Sequence, residues 1–391
     1  MANTLTSLIP TIYEGLNIVS RERVGFIQEI TKNSSAERAA LNQSILVPIA
    51  PAVTSEAANT PAVNAPDTGD STIDNVEMTI SKSYHIPVRW NGEESRGLMN
   101  AGTYGDINTQ RFANAFRRLC NLIEADLATT YKSASRATGT AGTTPFNTAG
   151  TLTDFANVKR ILDDNGCPPD NLKLVLSNAA IQNLVGKQST FQQANTAGTD
   201  EMLRDGKIAR AFGFDIGQSG QVAAVTKGNT NGSATLTSAD YAVGATSLVL
   251  ASAGTGGFND GDMINVAGEN NGIWYGLKTG DADTSGGGTL VLNNPGLTIA
   301  QTTNTSAVTT TAANWSANLA FHPTAIQLIT RAAAMPEGGD MATDSTFVTD
   351  PVSGLVFEIL EYKQFRQTVY HVSIAWGWKA IKSEHIAVLF G

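Results

Sequence analysis

The chain has 391 residues, room for two or three domains, with 41% hydrophobic residues, only 16% charged ones and a formal net charge of −9. That balance excludes tight wrapping of nucleic acid, which needs clustered Lys and Arg to displace counterions. A surface poor in charge and rich in Thr, Asn and Gly suits a protein packed against copies of itself, and equally a secreted β protein. The two cysteines, Cys120 and Cys167, make neither a disulfide framework nor a zinc site, and fit a reducing compartment. The opening residues 1–19 (MANTLTSLIPTIYEGLNIV) lack the basic start, apolar centre and cleavage site of a signal peptide. No apolar run of about 18 residues predicts a membrane-spanning helix.

Residues 1–42 read as an amphipathic arm. Leu5, Leu8, Ile9, Ile12, Leu16 and Val19 recur at helical spacing around Pro10, and Val24, Phe26, Ile27 and Ile30 follow. So short a segment must lie on the rest of the chain or on a neighbour. Residues 44–49 (SILVPI) and 76–85 (VEMTISKSYH) read as two strands, with Val76, Met78 and Ile80 on one face. The segment between them has Pro51, Pro61 and Pro66 and almost no bulky side chain, so a long loop joins a hairpin.

The longest helical signal covers residues 106–133. Phe112, Phe116, Leu119, Ile123 and Leu127 form one apolar stripe. Arg111, Arg117, Arg118, Glu124, Asp126 and Lys132 mostly take the other side, and Asp106 is the expected cap. At ~1.5 Å per residue the helix is a rod of about 40 Å. Beyond it, Thr153 or Asp154 caps a helix that ends at Asn165-Gly166. A strand follows at 171–176, then a helix capped by Ser177 or Asn178, a short helix at 200–204, and paired strands over 208–225 with turns at Gly213 and Gly217. Residues 226–314 carry short strands at 234–236, 247–250, 263–266, 273–277 and 290–292, which suggest a small inserted β barrel or sandwich. The mixed layer resumes at 318–323, and 324–333 is helix or strand. Residues 354–362 and 367–378 form a hairpin around Phe365-Arg366, with Tyr370, Val372, Ile374, Trp376 and Trp378 on one face, and 385–390 closes the chain as a buried strand.

No catalytic motif is present. His85, His322, His371 and His385 form no H-E-x-x-H, and none has a second histidine three to five residues away. Residues 217–221 (GQSGQ) miss the G-x-S-x-G elbow at Gln221, so Ser219 belongs to a turn. The pairs Asp260/Asp262 and Asp281/Asp283 lack the remaining ligand spacing of a calcium loop and read as exposed turns. No phosphate-binding glycine loop exists.

This order of parts resembles the major capsid (coat) proteins of tailed bacteriophages, an α+β fold of the Hong Kong 97 type. Within that class it is similar to the coat-protein family of the short-tailed Salmonella phage, whose members carry an inserted domain. The stretches that carry the resemblance are LTSLIPTIYEGLNIVSRERVGFI, residues 41–85, the helix at 106–133, GFDIGQSGQV, GDMINVAG, NLAFHPTAIQLITRA and the closing VYHVSIAWGWKAIKSEHIAVLFG. The resemblance implies an N-terminal arm (1–42), an extended loop with its return strand (43–98) and a peripheral domain with the long spine helix (99–137). It further implies an axial domain (138–225 and 315–350) interrupted by an inserted β domain (226–314), then a peripheral hairpin (351–384) and a closing axial strand (385–391).

The resemblance also implies pentamers and hexamers that close into an icosahedral shell around double-stranded DNA, held weakly and without sequence specificity at the inner surface. A scaffolding protein and a portal are the implied assembly partners, with a decoration protein as an optional one. The implied location is the virion, assembled in the host cytoplasm without membrane, metal or cofactor. Arg117, Arg118 and Glu124 on the helix, with Glu56, Asp67 and Asp70 in the loop, are the candidate intersubunit contacts. Some members of the wider fold cross-link their subunits, but neither Lys82 nor Asn314 matches such a residue. The alternative reading is a secreted or surface-layer β-rich adhesion protein, favoured by the Thr/Asn/Gly richness; an enzyme on an α/β core lacks a convergent polar pocket in the sequence.

Overall fold

The computed structural model describes residues 25–49, 74–100, 102, 104–188, 206, 208–229, 234, 236, 241–251, 254–267, 272–302, 306–350 and 353–391. The expected arm helix over 1–24, the loop at 50–73 and the short helix at 200–204 lie outside these residues. Within them the chain is α+β: a long helix on one sheet, a second and larger sheet, and a separate hairpin.

The apolar stripe makes the helix Tyr104–Ala128, which tightens into a 3-10 turn over Thr129–Ser133. Phe112, Phe116, Leu119, Ile123 and Leu127 are at most 1% exposed. The helix starts ahead of Asp106, so that residue lies inside the first turn, where its charge still complements the helix dipole. At the other end Thr129 and Thr130 donate their hydroxyls to the carbonyls of Asp126 and Leu127, and the turn gives way to extended backbone at Ala134.

The stripe rests on a six-stranded sheet built around the long strand Gln367–Ala380. Period-two alternation turns Tyr370, Val372, Ile374 and Trp376 toward the helix, as expected, and all four are buried in one core with Phe112 and Phe116. Tyr370 meets Phe112 at 5.7 Å between ring centroids, and Phe357 meets Phe116 edge-on at 5.0 Å. Lys82–Asn91 pairs along one edge of the long strand. The opposite edge takes Val356–Gln364 over its first half and Ile326–Ala333 over its second. Residues 324–333 therefore end as a strand, and the hairpin turn falls at Phe365-Arg366. The polar strand Thr31–Ala39, which periodicity did not reveal, adds in parallel to Ile326–Ala333.

The strand expected over 76–85 is two strands. Asp74–Thr79 pairs with Ser44–Ile49, and the chain then crosses to the six-stranded sheet. Gly377 makes that crossing possible, because a Cβ there would stand 2.0 Å from the carbonyl oxygen of Thr79. Ser81 N–H then donates to the Trp376 carbonyl and locks the root of the hairpin to the long strand.

The second sheet joins Leu172–Leu176, Phe214–Gln218, Trp315–Phe321, Ile386–Phe390 and Arg136–Thr138. The helices Thr153–Asp164 and Asn178–Lys187 share a core with it. Ser177 caps the second helix, its side chain accepting from the Ala180 N–H. Neither Thr153 nor Asp154 caps the first: Leu152 stands at that position, and Asp154 accepts from the Phe146 N–H instead. Gly217 lies within Phe214–Gln218 rather than at a turn. Its missing side chain admits Gly25, whose carbonyl oxygen would be 3.2 Å from a Cβ.

Residues 226–314 leave and return through the antiparallel pairs Val225–Trp315 and Ala224–Ser316. Between them Ser247–Leu250, Met263–Val266, Ile273–Thr279 and Gly288–Leu292 form close to where expected, with Val308–Thr310 in addition. Leu248, Leu250, Ile264, Val266, Tyr275, Leu277, Leu290 and Leu292 make a core of their own. The region is not a detached barrel: Ile273–Thr279 pairs with Arg136–Thr138 and extends the second sheet. Asn293 Nδ2 ties the junction by donating to the carbonyls of Lys132 and Ala134.

Candidate functional site

The hairpin of Ser44–Ile49 and Asp74–Thr79 is a two-stranded sheet whose strands pair with no third strand among the described residues. Its root is anchored. Met78 and Ile80 are buried against Ala39, Ile329 and Ala375, while Ile45, Val47 and Val76 are only partly covered. Leu46, on the other face, is 63% exposed. A two-stranded hairpin is marginal by itself in water, so its apolar residues call for a further surface. Glu56, Asp67 and Asp70 belong to the segment between its strands and lie outside the described residues.

The charged residues of the long helix divide. Arg118 is exposed and Arg117 half-buried, with Arg117 Nη1 donating to Asn114 Oδ1 at 2.6 Å. Arg111 is committed to its own chain, donating to the Arg89 carbonyl and lying 4.2 Å from the centre of the Trp90 ring. Glu124, expected at the surface, is 1% exposed. It lies on the same four-residue row as Phe116, Cys120 and Ala128, and that row is buried. Its carboxylate accepts the N–H groups of Ile27 (2.7 Å) and Phe26 (3.2 Å) and the Ser219 hydroxyl (2.8 Å). Burial pushes its pKa up, and these donors oppose the rise. Glu124 thus clamps the start of the helix Phe26–Glu29, the point where the chain emerges from the N-terminal segment, to the middle of the long helix. Ser219, in the near-miss elbow, has its hydroxyl spent on this clamp.

Asp126 is likewise interior. It accepts from Lys82 Nζ at 2.6 Å and from Trp376 Nε1 at 2.8 Å, which ties helix, root strand and long strand together.

The histidines, far apart in sequence, meet in pairs. His85 and His371 stack at 4.5 Å on the sheet face away from the helix, and His322 approaches His385 at 6.4 Å. Burial, then the neighbouring His85, lowers the pKa of His371. Among the described residues no group of three or more metal-ligating side chains is assembled. Asp281 and Asp283 serve local turns, but Asp262, expected in an exposed turn, is 1% exposed and, like Asp260, also binds a distant part of the chain. Asp260 accepts from Gly280 N–H, Asp262 from Gly228 and Asn259, Asp281 from Asp283, and Asp283 from Ser285. Burial pushes the Cys167 thiol up to about 11, and both cysteines are buried and unpaired with each other. Among the described residues no helix is long and apolar enough to cross a membrane.

No protein-family model matches the chain, and no curated protein matches its sequence. Several solved structures are similar to it. One, described as Mycobacterium phage Che8, is 12% identical with a TM-score of 0.44, over 93% of this chain and 90% of that one. Another, described as the capsid structure of the Cyanophage P-SCSP1u, is 12% identical with a TM-score of 0.44, over 94% and 88%. A third, described as a virus-like particle from Pyrococcus furiosus, is 10% identical with a TM-score of 0.42, over 98% and 99%.

Proposed function

We propose that this chain is a major capsid subunit of a tailed bacteriophage, which assembles with copies of itself into the shell that encloses the genome. The observation that carries this reading is the hairpin Ser44–Ile49/Asp74–Thr79, anchored at one end and left with half-covered apolar residues beyond it. A neighbouring copy supplies the missing cover. The order of arm, hairpin, long helix and closing strands, which prompted the resemblance in the sequence, supports the same reading. In it, residues 99–137 and 351–384 are the peripheral domain, 138–225 with 315–350 and 385–391 the axial domain, and 226–314 the inserted β domain. Pentamers and hexamers are then rings of heterologous contacts, because the hairpin of one copy sits on a different surface of the next. Burial at each contact contributes roughly 25 cal/mol per Å² before association costs, and repetition sums modest contacts into a stable particle.

Deleting residues 52–72 tests the reading. The product should fold, because both hairpin strands and the root remain, and should fail to build stable particles in sedimentation and electron microscopy. Normal particles from this variant would overturn the role given to the hairpin. Arg117→Glu reverses a charge on the half-buried face of the helix and is expected to leave unfolding of the free subunit within about 0.5 kcal/mol. Particle yield should fall, and an unchanged yield would remove Arg117 from the contacts between copies.

A further inference from the structure

A cleft of about 570 Å³ opens where the end of the long helix, the 226–314 region and the last strands meet. Lys132, Lys278, Lys379, Thr246, Asn294 and Ser383 are among its lining, and among the described residues no carboxylate lines it. Lys132 and Lys278 are exposed and in no ion pair among the described residues. Lys379 Nζ donates to the Glu77 carbonyl of the hairpin, so the root of the chain's own hairpin borders the cleft. In a chain of net charge −9, a cleft whose charged lining among the described residues is three lysines marks a place for an anionic partner.

The same chain holds the complement. Between Arg38 and Lys82 there is no Lys or Arg, while Glu56, Asp67, Asp70, Asp74 and Glu77 all fall there. We propose that the cleft receives the acidic segment between the hairpin strands of a second copy of this chain. The proposal rests on the self-assembly reading and names the surface on which the hairpin's loop docks and the chemistry that holds it. The occupant is a neighbour's segment because the proposed shell sets the hairpin of one copy on the next, and this segment's acidic run is opposite in charge to the cleft. Opposite charge at such a contact selects the partner and its register as well as adding affinity.

The experiment is a charge exchange. Lys132→Glu with Lys278→Glu forms one variant, and Asp67→Lys with Asp70→Lys the other. Each alone should raise the concentration needed for particles at least ~10-fold, while leaving circular dichroism of the free subunit unchanged. In an equimolar mixture the two variants can alternate around rings of six, where each variant's segment meets a cleft of opposite charge on the other, so six-membered rings should return; the chain carrying all four changes should regain closed particles.

Lysine variants that assemble at the wild-type concentration would overturn the proposal. Rescue by the fourfold chain with no six-membered rings from the mixture would also overturn it, placing the segment in its own cleft. Lysine variants that form normal particles with less retained nucleic acid would overturn it in favour of a phosphate backbone as occupant. Failure of the wild-type chain to assemble overturns the self-assembly reading instead, and is read without any variant.

Discussion

Phe116→Ala is expected to destabilise the free subunit by about 3–5 kcal/mol, the range for truncating a fully buried aromatic residue. Phe116 is wholly buried where the long helix meets the six-stranded sheet, with the Phe357 ring edge against it at 5.0 Å. Truncation leaves a cavity between two elements that cannot close on each other, because Phe112 and Leu119 hold the helix at its height on either side. Urea unfolding of the unassembled subunit measures the loss directly. A change below ~1 kcal/mol would mean that the helix does not rest on this sheet.

Glu124→Leu should cost about 3 kcal/mol by a different route. It removes the acceptor for two N–H groups and one hydroxyl that have no access to water, each worth about 1–3 kcal/mol when stranded, partly offset because a buried carboxylate is itself costly. Glu124→Gln keeps the shape and one oxygen and should lose less. The two variants also differ from the wild type in pH dependence. Burial raises the folded pKa of Glu124, so the folded state binds its proton more tightly than the unfolded chain does. Its contribution is fully present below the unfolded carboxyl pKa and is lost as pH rises through the folded one. Wild-type stability minus that of Glu124→Gln should therefore fall as pH rises across that window. Asp262 and Glu361 are also raised by burial, but they are common to both proteins and cancel in the difference. A difference that grows with pH would contradict the assignment.

Periodicity carried much of the fold. The stripe from Phe112 to Leu127 and the alternation from Tyr370 to Trp376 each expose their buried face in the order of residues, and the structure sets the two against one another. The turn at Phe365-Arg366 was legible as the gap between two strand runs, and most strands of 226–314 as short apolar runs between turns of Gly, Asn and Asp. Thr31–Ala39 was not, because its sequence TKNSSAERA has no alternating apolar face, and its extended form is held by pairing with Ile326–Ala333.

The site residues were harder to read. A charged residue beside an apolar stripe looks like surface until its four-residue row is followed, and for Glu124 that row is Phe116, Cys120 and Ala128. The partners it clamps, Phe26 and Ile27, are distant in sequence and arrive only with the tertiary fold. Spacing was equally blind to the stacking of His85 on His371, which follows from the register of Lys82–Asn91 on the long strand.

Electron microscopy of the purified full-length protein in negative stain tests the central claim most directly. The account predicts uniform closed shells or rings of five and six subunits, appearing as protein concentration rises. A dispersed monomer at every concentration and ionic strength tried would contradict it.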